Sequence, residues 1–97
     1  MEFTITDDRI SLYDPQGQEL AFVSFPACGP DTVEIRSTVV SPSLRGQGVA
    51  GQLLETLAAR LRARGLRAVP VCSYAVAWFE KHPDQQDLLA APSDGRD

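Results

Sequence analysis

Three glycines and an arginine cluster in Arg45-Gly46-Gln47-Gly48-Val49-Ala50-Gly51, after the β-branched Val39-Val40 and ahead of the apolar Leu53-Leu54. Glycine has no Cβ, so a chain built this way can turn sharply and bring its amides close to a bulky anion. A helix starting here presents unpaired N–H groups and the positive end of its dipole at the same place. Strand, glycine loop and helix then form a cradle suited to a diphosphate. A tight strand-to-helix connection with no ligand would use the same glycines. The other residue with chemistry in its setting is Cys72, which stands between a short apolar run and a second helical segment. A cysteine at a strand end, just before a helix N-terminus, is placed to act as a nucleophile, although many cysteines are inert packing residues.

Known diphosphate cradles differ in what accompanies the glycines. A P-loop requires Lys and then Ser or Thr after G-x-x-x-x-G, whereas Gly46 to Gly51 is followed by Gln52 and Leu53. Gly46-Gln47-Gly48-Val49-Ala50-Gly51 does match G-x-G-x-x-G, but a dinucleotide site needs a ribose-binding acid about twenty residues on. Val71-Cys72-Ser73 stands there, with no carboxylate before Glu80.

The elements that must hold these residues can be read from periodicity. Phe3 and Ile5 alternate with polar neighbours and Asp7-Asp8 turns the chain into Ile10-Ser11-Leu12-Tyr13, a hairpin pattern. Asp14-Pro15-Gln16-Gly17 is a second turn, and residues 19–25 are a third strand. Pro26 to Asp31 breaks that strand, and residues 32–40 make a fourth, with Val33, Ile35, Ser37 and Val39 expected on one face. Val49, Leu53, Leu54, Leu57, Ala58 and Leu61 recur at helical spacing up to a stop at Gly65. Residues 66–72 form a fifth strand, and a helical crossover makes it parallel to the fourth. Pro70 interrupts its ladder, so strands four and five are expected to splay there and leave backbone groups of strand four unpaired. Ser73 is expected to cap a second helix from Tyr74 to about His82, with Val76 and Phe79 inward, and Pro83 ends it. Leu88 and Leu89 are expected to fold back. The fold class is α+β (mixed α/β), with four antiparallel strands, a helix, a fifth strand parallel to the fourth and a C-terminal helix. One domain is expected over 1–90, with a flexible tail at 91–97.

Composition narrows the function classes. At 97 residues, 43% hydrophobic and 23% charged, the chain suits one small globular domain. Its start lacks a signal peptide pattern and no run reaches membrane-spanning length, so a cytoplasmic protein with no membrane partner is expected. Two cysteines and one histidine lack metal-ligand spacing, and no metal is expected. The net charge is −4, yet Arg45, Arg60, Arg62, Arg64 and Arg67 fall in one stretch where Glu55 is the single acid. An acidic chain with one lysine is a poor general binder of nucleic acid, so none is expected as partner. His82 would lie about 15 Å from Cys72 along ten helical residues, beyond hydrogen-bond reach, which leaves it a helix-terminating role.

Arg45-Gly46-Gln47-Gly48-Val49-Ala50 resembles the Gln/Arg-x-x-Gly-x-Gly/Ala signature of the GNAT N-acetyltransferase superfamily. With Thr38, Val40 and Pro42, the segment Pro70-Val71-Cys72-Ser73-Tyr74, His82-Pro83 and Leu88, the chain resembles the short single-domain branch called YjdJ-type, over roughly residues 10 to 90. The resemblance implies acetyl coenzyme A as cofactor, with the amides of Gly46, Gln47, Gly48, Val49 and Ala50 on its pyrophosphate, Arg45 beside them, and Val39 and Val40 along its pantetheine. It implies transfer of an acetyl group to an amine, on a protein lysine or N-terminus or on a small molecule, by a monomer or weak homodimer. Tyr74 is the candidate acid for the departing thiolate, and Cys72 a candidate carrier of the acetyl group as a thioester. Relatives commonly carry His in place of Ser37 and often an acid in place of Val39, so the general base is missing from its usual positions. Strand parity puts Glu34 on the opposite face from Ser37 unless a bulge intervenes. The alternative reading is a module that binds acyl coenzyme A without catalysis.

Overall fold

A computed structural model describes residues 2–90. The expected tail at 91–97 lies outside the described residues. The elements run β1 (Thr4–Ile5), β2 (Arg9–Tyr13), β3 (Glu19–Ser24), β4 (Thr32–Ile35), β5 (Ser37–Val40), α1 (Val49–Arg64), β6 (Arg67–Pro70) and α2 (Ser73–Glu80). Short 3₁₀ turns occupy Pro42–Leu44 and Pro83–Leu88. This is the mixed α+β architecture expected from the sequence. The antiparallel sheet has the order β1-β2-β3-β5, and β4 pairs in parallel with β6. No helix of the described residues is long and apolar enough to cross a membrane.

The expected fourth strand is present as two halves. Ser37 pairs with Ser24, and the amide of Arg36 also donates to the Ser24 carbonyl at 3.0 Å, so two residues face one and the strand bulges. Before the bulge, β4 bonds back to the chain after β3 through Glu34 N–H to Pro26 O at 2.9 Å, and forward to β6. After it, β5 bonds to β3 alone. The bulge also changes which residues point inward. Val33 and Ile35 are buried, but Thr38 and Val40, opposite the buried Val23 and Ala21, share the inner face beyond Arg36. Ser37 and Val39 therefore lie on the outer face, contrary to the strict alternation expected.

One apolar layer joins the sheet to both helices. Val49, Leu53, Leu54, Leu57, Ala58 and Leu61 of α1 are buried, as their spacing predicts. Ile10, Leu12, Ala21, Val23 and Phe25 meet them from the sheet, and Ala75, Trp78 and Phe79 from α2. Val76, expected inside, is 38% exposed, while Trp78 is buried. The difference follows from the helix start. Cys72, not Ser73, is the N-cap, and α2 ends at Glu80, so the inward stripe falls on 75, 78 and 79. Leu88 is buried and Leu89 partly so, and Ala90 N–H donates to Ala68 O at 2.9 Å. Across the outer face Glu19 accepts two bonds from Arg9, at 3.0 and 2.8 Å, and one from Ser11, and the Arg9 guanidinium lies 3.7 Å above the Phe22 ring. Leu57 is 1% exposed at the centre of α1. Leu57→Ala should lower unfolding stability by about 2–5 kcal/mol in urea titration with no change in slope.

Candidate active site

The glycine loop is built from β5 outward. Ser41 caps the 3₁₀ turn of Pro42–Leu44 through its hydroxyl, and the chain then reverses through Gly46 and Gly48, whose φ values are 83° and 73°. These left-handed conformations are open to glycine at little cost. Gly48 is the N-cap of α1 and supplies no side-chain oxygen, so the first helical bond is Gln52 N–H to Gly48 O at 3.1 Å. Among the described residues, the amides of Gly46, Gly48, Val49, Ala50 and Gly51 have no protein acceptor, whereas that of Gln47 donates to Leu44 O at 3.3 Å. The structure thus brings the expected loop residues together, turns Gln47 N–H into the loop itself, and adds Gly51. An opening of about 240 Å³ lies against them, lined also by Val40, Leu44, Arg45 and Tyr74. Unpaired amides, a helix N-terminus with no acid in its first turn and one guanidinium fit a diphosphate.

A gap in the sheet continues from this opening. Val71 and Cys72 N–H both donate to Ile35 O, at 2.9 and 3.1 Å, which is the last backbone link between the β4 side and the β6 side. Beyond it the two chains part. Ser41 N–H donates to Leu20 O at 2.7 Å, and bonded pairs alternate in an antiparallel ladder, so Val39 bonds to Phe22 while the peptide groups of Thr38 and Val40 face the gap. Val40 thus keeps the free backbone expected of it. Val39 has its backbone committed to β3 and its side chain 47% exposed on the outer face.

Cys72 and Tyr74 lie on the far wall of the gap. The Cys72 sulfur is half-buried, accepts a bond from Ala75 N–H at 3.4 Å and lies 3.4 Å from Thr38 Oγ1. Tyr74 stands in the first turn of α2 and reaches across to α1, where its hydroxyl would lie 3.7 Å from a Cβ added at Gly51. Burial and the nearby negative charge of Glu55 both disfavour its phenolate and raise its pKa above the ordinary tyrosine value. Tyr74 therefore keeps its proton at neutral pH.

The bulge brings in a residue that strand parity excluded. Glu34 lies before it and Ser37 after it, so an odd separation now puts both on the outer face. Its carboxylate bonds Arg36 at 2.8 Å and stays partly open, with 32% of the side chain exposed. A one-residue bulge leaves no mark on an alternating pattern, which is why the sequence hides this placement. Of the clustered arginines, Arg45 alone lines the opening. Arg62 pairs with Asp87 at 2.6 Å, and Arg67 donates to the Asp87 carbonyl at 2.7 Å, clamping the C-terminal turn to α1. His82 donates from Nδ1 to Trp78 O at 2.6 Å and stacks on the Trp78 ring, a helix-ending role. No group of three His, Cys, Asp or Glu among the described residues could hold a metal.

Comparison with known proteins agrees with this geometry. A family model described as GCN5-related N-acetyl-transferase matches residues 3–88. The solution structure of a GCN5-like candidate N-acetyltransferase from Staphylococcus aureus is 27% identical, with a TM-score of 0.77, 92% of this chain covered and 87% of that one. The crystal structure of the GNAT family N-acetyltransferase YhbS from Escherichia coli in complex with CoA shares the fold at 24% identity and a TM-score of 0.59, over 71% of this chain and 42% of that one. The ribosomal-protein-S18-alanine N-acetyltransferase of Escherichia coli does so at 23% identity and a TM-score of 0.60, over 81% and 50%. The chain therefore spans half or less of these two longer proteins. No curated protein sequence matches it.

Gly48→Ala should lose about 1–2 kcal/mol of stability, because a Cβ at φ 73° is strained although it meets no atom within 4 Å. Gly51→Ala, within the helix, should gain about 0.5–1 kcal/mol, and equal shifts of the two melting curves would refute this account of the loop. In an ultraviolet pH titration, Tyr74→Phe should remove a phenol component that ionises above the ordinary tyrosine range.

Proposed function

Because the chain belongs to the GCN5-related N-acetyltransferase family, we propose that it transfers the acetyl group of acetyl coenzyme A to an amine. The observation that carries this reading is the set of unpaired amides at Gly46, Gly48, Val49, Ala50 and Gly51, which shares one opening with Arg45 and Tyr74. Acetyl coenzyme A supplies a thioester already activated toward amines. The loop amides and Arg45 hold its diphosphate, and the gap-facing peptide groups of Thr38 and Val40 bond its pantetheine amides as a further strand would.

Tyr74 holds a proton for the departing thiolate, a role that rests on its place at the opening beside Gly51, since burial and Glu55 make its phenol a weaker acid than an ordinary tyrosine. Glu34 draws the acceptor ammonium to the outer face and takes its proton, in exchange for its bond to Arg36. This gives the carboxylate the role of base that Ser37 and Val39 cannot fill. The tight turn between β2 and β3, where Asp14 Oδ1 accepts from Gln16 and Gln18 N–H, leaves this face uncovered. An open face favours an exposed lysine or N-terminus of another protein, or a small amine. The 87% coverage of the Staphylococcus aureus protein supports placing the chain in the short YjdJ-type branch.

A second reading rests on the Cys72 sulfur at the N-terminus of α2, bonded to Ala75 N–H and in contact with Thr38. The thiolate would attack the acetyl carbonyl, the coenzyme would leave as its thiol, and the amine would then take the acetyl group from Cys72.

Mass spectrometry of the protein with acetyl coenzyme A tests these readings together. Native spectra should show a one-to-one complex, and a panel of amine acceptors should reveal turnover that Tyr74→Phe and Glu34→Gln each reduce by about 10²-fold or more with the complex retained. A complex with no turnover on any acceptor would leave a binding module, and no complex would refute the transferase reading. An acetyl adduct in denaturing spectra that Cys72→Ala abolishes supports the relay, and its absence in rapidly quenched samples supports direct transfer.

A further inference from the structure

The C-terminal half of α1 and the loop joining β3 to β4 enclose a second cavity of about 270 Å³ that acetyl transfer does not use. Its lining is partly apolar: the exposed Ala27 and Pro30 and the half-buried Leu66 present surface to it, along with the buried Phe25, Val33 and Leu61. Its charged groups are Arg60 and Arg64, one helical turn apart on α1, and Asp7 from the turn between β1 and β2. Among the described residues none of the three takes part in a salt bridge, although Arg60 is half-buried. Their neighbours Arg62 and Arg67 are both tied to Asp87, whereas Arg60 and Arg64, like Arg45 at the glycine loop, have no salt bridge among the described residues. Arg60 lies eleven residues beyond Val49, about 16 Å along the helix, which separates this cavity from the glycine loop.

We propose that this cavity is a second binding site, for a small zwitterion with an apolar body, the chemistry of an α-amino acid with an aliphatic side chain. The carboxylate lies against Arg60 and Arg64, the ammonium against Asp7, and the side chain against Ala27, Pro30 and Leu66. Charge selects against the simpler ligands. A plain carboxylate leaves Asp7 with a like charge nearby, a plain amine meets two guanidiniums, and inorganic phosphate leaves the surface of Ala27, Pro30 and Leu66 in water. The volume is just below that of common small-molecule pockets, which suits a ligand of about ten heavy atoms.

The site is independent of the acetyl-transfer reading, and NMR titration of the full chain with L-leucine tests it. Saturable amide shifts are expected at Asp7, at residues 25–33 and at residues 60–66, unchanged by prior addition of acetyl coenzyme A. N-acetyl-L-leucine, which lacks the ammonium, and 3-methylbutylamine, which lacks the carboxylate, should each bind about tenfold more weakly or worse. Arg60→Gln should weaken leucine by a similar factor, with the unperturbed spectrum showing that the fold is kept. Asp7→Asn should narrow the difference between leucine and its N-acetyl form. The proposal is overturned by the absence of saturable shifts, by shifts confined to residues 44–51, by equal binding of all three probes, or by unaltered leucine binding in Arg60→Gln.

Discussion

The bulge at Arg36 is the constraint on which the rest of the structure depends. Two residues, Arg36 and Ser37, face the one carbonyl of Ser24, and the register changes by one residue across them. The strand before the bulge has partners on both edges, and the strand after it has one. That asymmetry makes the gap, because β6 continues only as far as the Ile35 carbonyl and then turns into α2. The same extra residue reverses the inward and outward faces, so Thr38 meets Cys72 on the inside while Glu34 and Ser37 come together on the outside.

An open gap costs the fold backbone bonds and exposes the ends of two helices, so something must hold its walls. Burial does this from below. Val49, Leu53 and Leu54 are 2%, 0% and 1% exposed within the first two turns of α1, and Ala75, 0% exposed, fixes the first turn of α2. Each helix is therefore anchored within a turn of the end that borders the gap. The glycine loop needs no side-chain cap, because burial of the α1 stripe holds the helix start in place. A capping Ser or Asp at position 48 would satisfy one of the amides that the opening leaves free.

Much of this was legible in the residues. The loop, the α1 stripe, the crossover to a parallel strand and the return of Leu88 all rest on local patterns of hydrophobic spacing and glycine, and all are present. What was hidden depends on contacts between distant segments. Thr32 to Val40 alternates smoothly as a sequence, and only pairing with both β3 and β6 forces an extra residue at Arg36. The start of α2 is a similar case. Ser73 is the better cap by type, but the two bonds to Ile35 O fix the backbone at Val71 and Cys72, and the helix begins one residue earlier than side-chain preference alone implies. Trp78 then takes the buried place that Val76 was expected to fill.

Tyr74 shows how tertiary context turns an ordinary side chain into a placed one. From the sequence it is an aromatic residue on the first turn of a helix, with no means of telling a core ring from a reactive phenol. The fold sets α2 beside α1 through Ala75 and Trp78, and this carries the phenol over Gly51. There it meets the negative charge of Glu55 one helical turn further along α1, and partial burial adds to that effect in keeping the hydroxyl protonated. An alanine Cβ at position 51 would meet the phenol oxygen at 3.7 Å, an ordinary contact. The third glycine of the cluster thus borders the opposite wall of the gap, while the left-handed turns that demand glycine are those at Gly46 and Gly48.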